Sequence, residues 1–65
     1  MGGMIMKQVW FARDKDGKLA IFNEKPFKYG EQWIVKGRYA WLPPHFFPEI
    51  QWSDDEPVRF VIDNK

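Results

Sequence analysis

Lys7-Gln8-Val9-Trp10-Phe11-Ala12-Arg13, Asp14-Lys15-Asp16-Gly17, then Lys18-Leu19-Ala20-Ile21-Phe22-Asn23 is the stretch that decides the fold. Val9, Trp10 and Phe11 favour extended backbone, and so do Ile21 and Phe22 on the far side. Between them lies an Asp- and Gly-containing turn. Gly17 stands where a type I turn followed by a bulge needs a positive φ. These seventeen residues therefore read as a β-hairpin.

Working outward, Glu24–Gly30 reads as a loop, because Lys25-Pro26 disfavours helix and Tyr29-Gly30 marks a turn. Gln32–Lys36 and Arg38–Leu42 read as a second hairpin closed at Gly37. Pro43-Pro44 ends it, and Pro44–Phe47 reads as a single helical or 3-10 turn stopped by Pro48. Glu49–Trp52 reads as a short extended segment and Ser53–Pro57 as an acidic turn. Val58–Asp63 alternates most cleanly, with Val58, Phe60 and Ile62 facing one way and Arg59 and Val61 the other. No segment sustains a helical period over ten residues. The expected fold is all-β: about five short antiparallel strands in a curved sheet or small barrel of SH3-like or OB-like size. The expected core is Phe11, Leu19, Ile21, Trp33, Val35, Trp41, Phe60 and Ile62.

With 65 residues, the chain reads as one small β domain over residues 7–65. Residues 1–6, with three Met, read as a flexible leader, explained by cloning-derived residues or a later native start. A domain this small buries only about 60% of its unfolded surface and needs staples or a dense core. There is no Cys and only one His, so disulfides, thiolate metal sites and His-rich sites are excluded. The absence of Cys fits a reducing compartment, and the expected location is the cytoplasm. No stretch approaches the ~18 apolar residues of a membrane span, so no membrane partner is expected.

The residues for catalysis are thin. Asp14-Lys15-Asp16-Gly17 begins like a calcium loop, but the twelfth position, where a Glu is required, is Lys25. Ser53 is the only Ser and precedes acids instead of sitting in a nucleophile elbow. His45 beside Phe46 and Phe47 reads as a packing residue. There is no glycine-rich phosphate loop, and a chain this short rarely forms a pocket of about 300 Å³. The reading is not an enzyme, with no catalytic residue, cofactor or metal.

Rings are the surplus. Aromatics make up 18% of the chain: four Trp, six Phe and two Tyr. Strand alternation cannot place twelve rings in one core. The rings left over either form a second small core under Pro43–Trp52 or make an exposed patch, and such patches mark partner sites. Trp10, Phe27, Tyr29, Tyr39, Phe46 and Trp52 are the candidate interaction residues. Charge is also uneven. Residues 7–38 carry eight basic and four acidic residues, and residues 39–65 carry two basic and five acidic ones.

The leading functional expectation is a non-catalytic protein–protein interaction module, with an unknown protein or a second copy as partner, using surface aromatics or a sheet edge. A first alternative is a single-stranded nucleic-acid binder in which Lys7, Arg13, Lys15, Lys18, Lys25, Lys28, Lys36 and Arg38 interleave with rings. A second is a structural accessory of a larger assembly.

Trp10, the run Gly17–Asn23 and Trp33 look superficially like a WW domain. Ala20-Ile21 replaces its aromatic pair, no Pro closely follows Trp33, and the C-terminal half is unaccounted for, so the likeness is rejected. Ala12–Leu19, Lys25-Pro26, Leu42-Pro43, Phe47-Pro48-Glu49-Ile50, Trp52 and Asp55-Glu56-Pro57 resemble a family of small uncharacterised proteins of gut-type bacteria and their prophages. That resemblance covers about residues 9–62. It implies a small stand-alone domain and carries over no catalytic or binding residue.

Overall fold

A computed structural model describes the backbone of residues 5–64 and the side chains of residues 7–62. The fold is all-β, as expected, but with six strands and no helix among the described residues: β1 (Ile5–Arg13), β2 (Leu19–Phe22), β3 (Phe27–Tyr29), β4 (Gln32–Ile34), β5 (Tyr39–Leu42) and β6 (Val58–Asn64). β1, β2, β5 and β6 form an antiparallel sheet in the order β5-β2-β1-β6, and β3 pairs with β4 in a separate ribbon. The sheet stays open, so of the two forms expected, sheet or barrel, it is the sheet that forms. β5 and β6 occupy opposite edges with two strands between them.

The first hairpin forms as read. Gly17 N–H donates to Asp14 O at 2.9 Å and Asp14 N–H to Lys18 O at 2.8 Å, with Gly17 at φ 96°. The second hairpin does not. β5 pairs with β2, aligning Leu19 with Leu42 and Phe22 with Tyr39. β4 turns back on Phe27–Tyr29, which had read as loop. Gly30-Glu31 is the two-residue connection between them, and Gly30 at φ 65° supplies the positive φ such tight turns require at their first central position. Gly37 lies in the connection from β4 to β5.

The helical turn expected at Pro44–Phe47 is instead a pair of β-turns. Phe46 N–H donates to Pro43 O at 3.0 Å and Ile50 N–H to Phe47 O at 2.9 Å. Phe47 at φ 51° breaks any helical continuation between them. Glu49–Trp52 is turn and coil, not strand. Of the expected leader, Ile5 and Met6 belong to β1, and residues 1–4 lie outside the described residues.

Directly opposed residues share a face of an antiparallel sheet, so the register sorts the side chains. Trp10, Ala12, Ala20, Phe22, Tyr39, Trp41, Arg59 and Val61 share one face. Val9, Phe11, Leu19, Ile21, Ala40, Leu42, Val58, Phe60 and Ile62 share the other. Each face has its own small core. On the first, Ala12, Ala20 and Phe22 pack with Trp33 of the β3–β4 ribbon, flanked by Trp10, Val35 and Trp52. On the second, Phe11 and Leu19 pack with Ile50 from the turn segment, flanked by Val9, Ile21, Leu42 and Val58.

Phe11, Leu19 and Trp33 are therefore core residues, with Ile21 and Val35 half-buried. Three expected core residues are corrected: Trp41, Phe60 and Ile62 are 52%, 49% and 48% exposed. The cause is shared. Each lies on an edge strand, where the cover is only partial: it reaches Leu42 and Val58 and leaves these three about half exposed. Ala12, Ala20, Phe22 and Ile50 take their places in the interior.

Candidate interaction surface

Two polar clamps hold the covering layers to the sheet and so determine which rings stay outside. Arg13 ends β1 and spends its guanidinium on five backbone carbonyls. Nε donates to Ile50 O at 2.6 Å, Nη1 to Gly17 O and Pro44 O at 2.8 Å each, and Nη2 to Phe46 O and Phe47 O at 2.9 and 3.2 Å. The planar fork matches a ring of acceptors that a Lys could not satisfy. This clamp seats the Pro- and Phe-rich segment over Phe11 and Leu19.

On the other face, buried Asp14 accepts from Trp33 N–H at 2.8 Å, and Trp33 Nε1–H donates to Arg13 O at 3.1 Å. Desolvation pushes the Asp14 carboxyl above its ordinary value. The Trp33 hydrogen bond opposes that shift, Asp16 adds to it, and Lys18 counters it. Lys28 completes this side, lying 4.3 Å from the Trp52 ring centre and 5.3 Å from that of Trp33 while donating to Trp52 O at 2.7 Å.

The six candidate interaction residues do not converge on one patch. Trp10 and Trp52 are half-buried against the Trp33 core, with Trp52 edge-on to Trp33 at 6.4 Å. Phe27 and Tyr29 are exposed on β3. Tyr39 is exposed on β5, edge-on to Trp41 at 5.4 Å. Phe46 is exposed on the turn segment beside Phe47 and His45.

The sequence reading missed two further exposed groups. Trp41 joins Tyr39, Phe22 and Trp33 around a groove of about 160 Å³ between β4 and β5. Phe60, Val61 and Ile62 lie consecutively on β6 and are exposed on both faces of the sheet, Val61 at 45%. The signal was present in the unbroken apolar run Phe60-Val61-Ile62. Three apolar residues in a row put apolar side chains on both faces of a strand, and they are buried only where both faces are covered.

The expectation on pocket size is also corrected. A concavity of about 520 Å³ is lined by Asp14, Lys15, Asp16, Lys18, Glu31, Gln32 and Trp41. It is an open trough between two hairpin turns, walled by charges of both signs. Among the described residues, no group of three or more His, Asp or Glu is placed to hold a metal ion, and no helix is long and apolar enough to cross a membrane.

Among the described residues, three ion pairs distribute the charge: Lys15–Glu31 at 3.2 Å, Lys18–Asp16 at 4.0 Å and Lys25–Glu56 at 3.1 Å. Only the last joins the basic half of the chain to the acidic half. Comparison with protein-family models, curated proteins and solved structures finds no match.

Proposed function

We propose that this domain is a non-catalytic protein–protein interaction module working through the apolar rims of its sheet. One observation carries the reading: both edge strands present apolar side chains that the two small cores leave about half exposed, Tyr39 and Trp41 on β5 and Phe60, Val61 and Ile62 on β6. Exposed aromatics on a rigid sheet suit partner binding because little side-chain entropy is lost on contact. Affinity capture from cells with the wild-type chain and with two variants tests it. Tyr39→Ser with Trp41→Ser strips one rim, and Phe60→Ser with Ile62→Ser strips the other. A defined set of bound proteins that disappears with one variant and survives the other supports the module. Identical capture by all three chains removes it.

A nucleic-acid reading has one observation in its favour, since Lys18 Nζ lies 5.6 Å from the Trp41 ring centre beside exposed Tyr39. Against it, Arg13 is consumed by internal carbonyls and Lys28 by Trp52. Titration with a single-stranded oligonucleotide decides it, because phosphate contacts are strongest at low salt. The expected outcome is no binding at about 20 mM salt.

A further inference from the structure

The two edges of the sheet are not equivalent. β5 has four residues and runs into Pro43-Pro44, which cannot continue a ladder. β6 has seven, and its pairing with β1 runs through seven consecutive positions without a bulge. Only Trp10–Arg13 of β1 are paired to β2, so Ile5–Val9 and Phe60–Asn64 form a two-stranded ribbon beyond the sheet. Two strands alone are marginal in water, and a free edge is a template for another strand. From Val58 to Asn64, β6 has no Pro and no Lys, and its charged residues are Arg59 and Asp63, of opposite sign. Among the described residues, β6 packs on β1 and on no other strand.

We propose that the partner of this edge is a second copy of the chain, joined by antiparallel pairing of two β6 strands about a two-fold axis at Val61. The proposal rests on the interaction-module reading and names its occupant. Register carries the argument. An axis at Val61 sets Arg59 opposite the second copy's residue 63, an Asp, twice over by symmetry, and Phe60 opposite Ile62. Moving the axis to Phe60 sets Arg59 against Val61. An axis at Ile62 sets Val61 against Asp63 and Phe60 against Asn64. Only the first register matches opposite charges and apolar pairs together. Arg59 is available for it. Among the described residues its side chain makes one long contact, 3.5 Å to Gln8 Oε1, and no ion pair. The product is a continuous eight-stranded sheet that removes both β6 edges.

The test uses the full chain, which has no native Cys. Sedimentation should show a monomer–dimer equilibrium with Kd of about 10–100 μM, the range of a small interface. Val61→Cys should cross-link to its own copy on oxidation. Arg59→Cys should not, because the two copies of that position would lie about 13 Å apart along the ladder. Arg59→Asp and Asp63→Arg should each weaken self-association at least about tenfold, and their equimolar mixture should restore a dimer. If either charge variant loses its circular dichroism, the cysteine pair decides alone.

A strict monomer at about 1 mM, equal cross-linking at both positions, or no recovery on mixing two folded charge variants overturns the proposal. A monomer that still captures proteins in a rim-dependent way leaves the interaction module standing without self-pairing. A monomer that captures none removes both.

Discussion

Asp14 and Arg13 are adjacent in the chain but act on opposite faces of the sheet. Asp14 is a buried acceptor whose loss would orphan Trp33 N–H, so Asp14→Ala should cost about 1–3 kcal/mol in urea unfolding. Asp14→Asn keeps an acceptor and removes the charge. Because the folded carboxyl lies above its ordinary 3.8, the protonated form contributes stability that is fully present below that value and lost as pH rises through the raised one. Wild type should therefore gain on Asp14→Asn as pH falls from about 7 toward 4, read from paired urea midpoints. Arg13→Lys should cost about 2–4 kcal/mol, since one ammonium cannot serve five carbonyls spread over a plane. Hydrogen exchange at the Ile50 amide should speed up with it, because the turn segment loses its anchor. The importance of Arg13 was not readable from sequence: four of its five acceptors are more than thirty positions away, and a backbone carbonyl leaves no mark on residue type.

At the scale of elements, the Asp14–Gly17 turn was legible because its chemistry is local. The β3–β4 ribbon was not. Phe27-Lys28-Tyr29 is too short to alternate visibly, and Gly30 and Gly37 compete equally well as turn positions. What decides between them is long-range: β5 finds a better partner in β2, placing Tyr39 beside Phe22 and Leu42 beside Leu19. The ribbon then pairs with no strand of the sheet and is held on it by Trp33, Trp52 and the Asp14 clamp. Trp33→Ala should cost about 3–5 kcal/mol, comparable with the whole stability of so small a domain. The expected result is a chain without near-ultraviolet circular dichroism at 25 °C. Phe47 is the corresponding element-scale strain point on the other face. Its left-handed backbone is held by its carbonyl, which accepts from Ile50 and Arg13, and by its ring, 5.2 Å edge-on to Phe11.

For the whole molecule, the layout is a thin sheet with a small cover on each face and bare rims. The rings left over from one core prove to be divided: some complete the second core and the Trp33 side, and others stay at the edges. Single-Trp variants should show this by acrylamide quenching, with Trp41 most accessible, Trp10 and Trp52 intermediate and Trp33 least. A Trp33 as accessible as Trp41 would contradict the layered arrangement. Composition, turn chemistry and strand alternation determined on their own that the chain is all-β, that it opens with a hairpin, and that its rings outnumber the positions of a single core. All of these depend on neighbours a few residues apart. Which strands pair, which faces are covered and which rings remain at the rims depend on contacts between residues far apart in the chain, from Phe22 with Tyr39 to Ile5 with Asn64. Alternation assigns a side chain to a face, but only the tertiary structure decides whether anything lies over that face. That is why Phe60 and Ile62, placed in the core by their pattern, stand at the open edge of the sheet.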